Sequence, residues 1–252
     1  MPKHSNMLFC DDSQLDYNKF ETKFTEGQRL VFDDSYRLAH LPLVAPDHPR
    51  VIATKSGSHY TKGIHDLVFS IAIPVAADKL FMSEAFVRLC NELENSKFAR
   101  KLSWDTFTKR KNKLHATICG AISTTISPEI SQRMYQQLVD IGPISVRVRG
   151  LFSGNINVGR LYSKVYPELR QGKNVCHSIQ SIFSSPLTNL YVVGLFNFVE
   201  ELSPSETQEL VELLDVWRNI DIIRLEIENL WLLKSRDDLV LDGGIDKVLP
   251  LV

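Results

Sequence analysis

The chain has 252 residues, enough for one sizeable core, and its 44% hydrophobic and 23% charged content fits an ordinary folded protein rather than a disordered or fibrous one. A formal net charge of -1 argues against bulk electrostatic capture of long nucleic acid, leaving room only for a local basic groove. No run approaches the roughly 20 apolar residues of a membrane helix, and the start Met1-Pro2-Lys3-His4-Ser5 lacks the apolar stretch of a signal peptide. Cys10, Cys90, Cys119 and Cys176 are scattered, with no metal-ligand spacing, so neither a zinc site nor a disulfide framework is indicated. A soluble protein of a reducing cytoplasm, without a membrane partner, is the expectation.

Residues 1–62 carry weak periodicity and many turn formers, and read as an N-terminal extension or arm over a main domain at 63–252. Prolines at 42, 46 and 49 predict an extended run over 41–49, because each disfavours helix in its predecessor. His59 and Thr61 have a His-x-Thr spacing, but they fall in a loop between Gly57 and Gly63, where no strand makes the two side chains share a face. The main domain opens with a strand at 67–75 and then a helix at 79–94, with Leu80, Phe86, Leu89 and Leu93 as its apolar stripe. A cationic run, Lys109-Arg110-Lys111-Asn112-Lys113, leads into the next strand and places charge at its mouth.

That strand, 113–119, is the most informative stretch. Period-two alternation puts Lys113, His115, Thr117 and Cys119 on one face and Leu114, Ala116 and Ile118 on the other. His115 and Thr117 then point the same way, an imidazole for proton transfer beside a hydroxyl for a phosphate oxygen. Beyond it, Ser127-Pro128-Glu129 predicts the start of a helix reaching about 139, with strands at 144–149 and 156–165. The latter shows Arg160, Tyr162 and Lys164 on one face. A helix at 175–183 carrying His177 precedes a mostly apolar strand at 190–198, and Ser203-Pro204-Ser205-Glu206 is a capping box opening the next helix. A long strand over 222–233 and a turn at 242–244 close the chain.

Strands and helices in this order make an α+β chain. The order, together with Leu114-His115-Ala116-Thr117-Ile118 on the second strand of the main domain, resembles the two-histidine (2H) phosphoesterase superfamily, which includes bacterial RNA 2′,3′-cyclic phosphodiesterase and ligase-like enzymes. The resemblance implies a bilobal, pseudo-symmetric fold with antiparallel sheets lining a central groove and helices outside. It also implies two His-x-Thr/Ser motifs acting without a metal or cofactor on a nucleotide or RNA-end phosphodiester. One histidine of such a pair takes a proton and the other gives one, work suited to imidazole near neutrality. Here the second motif is absent. The register read from the 190–198 strand puts Tyr191 at the histidine position and Val193 at the threonine position. Tyr191 could donate a proton, whereas an ordinary phenol near pKa 10 is a poor base. Three readings follow. The first is a hydrolase, a phosphodiesterase with catalytic His115, Thr117 and Tyr191 and with Lys113, Arg160 and Tyr162 binding substrate. The second is a nucleotide- or RNA-binding module that has lost turnover. In the third, an interaction protein, the Pro-containing arm supplies a partner surface.

Overall fold

The computed structural model describes residues 7–252. The N-terminal region forms three short helices, α1 (Tyr17–Phe20), α2 (Asp34–Ala39) and α3 (Leu41–Val44). The expected extended run at 41–49 is therefore helical over its first turn. Pro42 stands in the first turn of α3, where a missing N–H costs nothing. The region is stitched onto the rest of the chain: Tyr17, Leu30, Phe32, Tyr36 and Leu41 lie in the same core as the sheet, and Tyr36 Oη donates to the Phe198 carbonyl at 2.5 Å.

From β1 (Val68–Pro74) the chain continues through α4 (Ala77–Met82), α5 (Glu84–Glu94), α6 (Trp104–Arg110), β2 (His115–Thr124) and α7 (Gln132–Ile141). Next come β3 (Ile144–Ser153), β4 (Arg160–Pro167), a small hairpin β5 (Leu169–Arg170) and β6 (Lys173–Asn174), and α8 (Val175–Ile182). The last elements are β7 (Val192–Asn197), α9 (Pro204–Trp217), β8 (Asp221–Ile227), β9 (Asn229–Ser235) and β10 (Gly243–Pro250). The helix expected over 79–94 is two helices. Ser83 leaves the helical conformation and accepts from the Phe86 N–H, capping α5. The helix expected from Ser127 begins after Ser131, which caps it. The Ser127 hydroxyl is instead held by Asp246 Oδ2 at 2.6 Å, and the Pro128 carbonyl accepts from Lys247 Nζ at 3.2 Å, so this segment is tied to β10. The capping box at Ser203 and Glu206 is present as read.

Eight strands form one antiparallel sheet in the order β10-β9-β1-β2-β7-β4-β3-β8. The single strand expected over 222–233 is in fact β8 and β9, separated by Glu228 alone. In the sheet order these two stand six places apart, which in a flat sheet would be roughly 29 Å at about 4.8 Å per strand. Two residue steps span at most about 7 Å. The sheet must therefore curl until its far strands approach. Helices α6, α8, α9 and α5 pack on β7, β2, β3 and β8 respectively, and residues of the middle strands β2 and β7 also line a cleft.

Candidate functional site

In the middle of the sheet, β2 lies between β1 and β7, and β7 joins β4. Leu114, Ala116 and Ile118 are buried on one side of β2, so the alternation that hides them turns His115 and Thr117 to the other side. There they line a cleft of about 240 Å³ together with Val192, Gly194, Arg160 and Tyr162. The loop between β9 and β10 contributes Asp237 and Asp238 to the same cleft, and His65, just ahead of β1, stands among its lining.

His115 has a defined tautomer. Its Nδ1 lies 2.7 Å from the Lys113 carbonyl, which can only accept, so Nδ1 carries the hydrogen and Nε2 the lone pair. Burial, with the Arg110 and Arg160 cations adding to it against the Lys113 hydrogen bond, pushes its pKa down to about 4. The imidazole is neutral at pH 7 and offers a base nitrogen beside the Thr117 hydroxyl.

Facing it are two guanidiniums. Arg110 is 2% exposed; it donates from Nη1 to the Gly194 carbonyl at 2.6 Å and from Nε to the Leu239 carbonyl at 3.1 Å. Burial and the neighbouring Arg160 charge lower it to about 9, so it stays charged near neutrality. Arg160 lies over the Tyr162 ring, 5.1 Å from its centroid, and directly on Gly194, where an added methyl would overlap the guanidinium. Its Nη1 donates to His40 Nε2 at 2.9 Å, while its Nε is buried with no partner. Among the described residues neither guanidinium is ion-paired with a carboxylate. Asp237 and Asp238 line the same cleft and their charges reach Arg110 and Arg160, but neither is in ion-pair contact with a guanidinium, so both guanidiniums keep donors for an anion.

The N-terminal region holds this arrangement from behind. His40 is fully buried and stacks on Tyr36 at 5.4 Å with the rings 1° from parallel. Burial and Arg160 push it down to about 3, so it is a neutral acceptor for the guanidinium. At the rim, His65 gives its Nδ1 hydrogen to the Asp66 carbonyl at 2.6 Å and has Nε2 3.6 Å from Asp238 Oδ1. The Asp238 carboxylate raises the His65 pKa against burial. Asp238 in turn is held well below the usual carboxylate range, burial notwithstanding, by His65, His40, Tyr60 and Arg160. Asp237 accepts three backbone N–H groups, from Leu239, Leu241 and Asp242 at 2.8, 3.0 and 2.6 Å, and so folds its loop against Arg110.

Four of the residues singled out from sequence, His115, Thr117, Arg160 and Tyr162, line the one cleft. Two do not. Tyr191 is a correction: Ala116 pairs with Val193, so His115 lies beside Gly194 and Thr117 beside Val192, one residue out of the expected register. Tyr191 points to the other side, fully buried, its hydroxyl donating to the Thr188 carbonyl at 2.5 Å. Lys113 is the second correction. Its ammonium donates to the Val240 and Gly243 carbonyls and anchors the β9–β10 loop rather than facing a ligand. His177 is held by Asn189 Oδ1 at 2.8 Å, and His59 packs beside Tyr60; neither lines the cleft. Sequence reasoning did not single out Arg110 within its cationic run, nor His40, His65 and Asp238, whose partners are distant in sequence.

No group of three or more His, Cys, Asp or Glu side chains is placed to hold a metal ion among the described residues, and none of their helices is long and apolar enough to cross a membrane. No family model and no curated protein matches the chain. Among solved structures, it is similar to a conserved protein of unknown function, ATU0111 from Agrobacterium tumefaciens, at 10% identity and a TM-score of 0.47, covering 78% of this chain and 91% of that one. It is also similar to TT0787 of Thermus thermophilus at 10% identity and a TM-score of 0.39, covering 73% and 97%.

Proposed function

We propose that the chain is a 2H-like phosphodiesterase working with one strand histidine on a nucleotide or RNA-end phosphodiester. The observation that carries the reading is the convergence on one cleft of a neutral His115, the Thr117 hydroxyl and two guanidiniums without carboxylate partners. A phosphodiester gives Arg110 and Arg160 the direct anion contact they lack, and Thr117 donates to a non-bridging oxygen. His115 Nε2 takes a proton from an attacking water as its oxygen bonds phosphorus. The P–O bond to the leaving oxygen then breaks, and the imidazolium returns its proton to that alkoxide, so one imidazole serves both steps. The free cleft holds His115 far below neutrality, and a bound anion offsets the arginine charges and lifts it toward the range where imidazole transfers protons well. Burial raises the Tyr162 phenol, which stays protonated and serves as a donor.

The test is turnover of 2′,3′-cyclic nucleotides, linear dinucleotides and cyclic dinucleotides, with EDTA present, by wild type and His115→Ala. Turnover in wild type and a loss of about 10²–10⁴-fold in a variant of unchanged melting temperature is the expected result. A second reading, a nucleotide-binding module without turnover, draws on Val192 and Gly194, which flank Thr117 and His115 and carry no proton-transfer group. Ligands that raise the melting temperature without being hydrolysed would favour it over the first.

A further inference from the structure

The cleft has a neighbour. Tyr162 and Val192 line it and also line a second cavity of about 220 Å³, whose other walls include Phe152, Leu190 and, from the N-terminal region, Phe20. The two spaces differ in chemistry. One holds the unpaired guanidiniums, the imidazole and the threonine hydroxyl. The other is lined by three aromatic residues, Phe20, Phe152 and Tyr162, and by Asn155 and Asn157. Phe152 and Tyr162 are stacked with centroids 5.5 Å apart and planes 26° from parallel. A molecule filling both spaces has a phosphate joined to a flat group with apolar faces and a polar edge.

The wall from the N-terminal region is fixed in place. Phe20 ends α1, and the backbone around it is hydrogen-bonded to the main sheet: Asn155 N–H donates to the Phe20 carbonyl at 2.9 Å and Thr22 N–H to the Ser153 carbonyl at 2.8 Å. Tyr17, one turn earlier, donates its hydroxyl to the Val165 carbonyl at 2.5 Å and accepts from the Val165 N–H at 3.0 Å. Asn155 Nδ2 is taken up by the Lys19 carbonyl at 2.8 Å, which leaves its amide oxygen as an acceptor.

We infer that this second cavity is the base subsite of a nucleotide whose phosphate lies in the cleft, and that the N-terminal region supplies one wall of it through Phe20. The inference rests on the anion-binding reading of the cleft and adds the group next to the phosphate. Aromatic rings accept the π-face of any base, and amides in the lining meet its polar rim without demanding one base. An alkyl chain would fill the apolar space but leave the amides unmatched.

The test is calorimetric binding of inorganic phosphate, ribose 5-phosphate, hexyl phosphate and 3′-AMP to the full chain and to two variants, Phe20→Ala and Ile156→Asp. Ile156 lines the cavity and is 54% exposed, so its substitution spares the core. The expected result is at least tenfold tighter binding of 3′-AMP than of ribose 5-phosphate or hexyl phosphate by wild type. Both variants should lose that preference while their inorganic phosphate affinity stays within twofold. Equal affinity for 3′-AMP and ribose 5-phosphate would overturn the base subsite and leave the anion cleft standing, and hexyl phosphate matching 3′-AMP would overturn it in favour of an alkyl-binding cavity. A preference that survives both variants would place the base elsewhere and overturn it too. Failure of inorganic phosphate to bind would overturn the cleft reading, and the subsite with it.

Discussion

The two strands at the centre of the sheet, β2 and β7, lie side by side and turn residues of the same register into one cleft, with opposite chemistry. On β2 those residues are His115 and Thr117, a base and a hydroxyl. On β7 they are Gly194 and Val192, which have neither. The β7 side is not an empty version of the β2 side, because the Arg160 guanidinium lies on Gly194, in the space a side chain would need. One strand presents its own side chains, and the other admits a cation from β4, for which the bare Gly194 leaves room. On the proposed reading, both sides of the cleft act on an anion while only the β2 side can move a proton.

The largest effect expected from breaking this comparison is at Gly194. Its Cβ position is filled by Arg160, so Gly194→Ala must push the guanidinium off its seat between His40 and Tyr162. Inorganic phosphate affinity should fall about 10- to 100-fold, with a loss of stability of about 1–3 kcal/mol from overpacking. Gly244→Ala, where an added methyl meets nothing, is the control and should leave affinity unchanged. Calorimetry on both settles the matter: if Gly194→Ala binds phosphate as wild type does, Arg160 is not the anion holder on the β7 side.

A smaller effect comes from the imidazole behind Arg160. His40 is held neutral in the fold at about 3 against an ordinary 6.5, so its folded pKa is depressed. Neutral burial stabilises the fold fully above pH 6.5 and loses that contribution as pH falls from 6.5 toward 3, because the unfolded chain binds the proton more readily. His40→Gln keeps a hydrogen-bond acceptor and removes the titration. Denaturant unfolding at several values between about pH 4.5 and 7.5 should give a shallower acid decline in the variant, by up to about 1.4 kcal/mol per pH unit, the slope of one proton. Equal slopes would mean that His40 is not held neutral by the fold.

The sequence made the β2 half legible and the β7 half illegible for one physical reason. Leu114, Ala116 and Ile118 are apolar against a polar His115 and Thr117, so period-two alternation sets the phase of β2. The stretch 190–198 is apolar at nearly every position, its cleft-lining Val192 and Gly194 included, and a run without alternation has no phase to read. A one-residue slip exchanges the faces of a strand, which is how Tyr191 and Val193 took the places that belong to Val192 and Gly194. Most strands and the Ser203 capping box were readable from local pattern. The split at Ser83 was hidden because Ser83 caps a helix whose apolar stripe continues the one before it. The break at Glu228 was hidden because β8 and β9 are both strands with a single residue between them. Arg110 looked like its neighbours Lys109 and Lys111, neither of which is buried. His40 reaches its partner Arg160 across 120 positions of chain, beyond any local pattern.

The smallest expected effect sharpens the register itself. Tyr191 is fully buried on the side away from the cleft, and its hydroxyl satisfies the Thr188 carbonyl. Tyr191→Phe removes that hydroxyl and keeps the ring, leaving a carbonyl to find another donor at a cost of about 1 kcal/mol. Because the phenol neither faces His115 nor touches the arginines, turnover and phosphate affinity should stay within twofold of wild type at every pH where both proteins are folded. Had Tyr191 stood in for a second histidine, its loss would remove the proton donor and lower turnover by about 10²-fold or more. The comparison is most direct in the ratio of the two readouts. A lowered melting temperature with unchanged turnover places Tyr191 in the core behind β7, and unchanged melting with lost turnover would move the strand by one residue and put a phenol opposite His115.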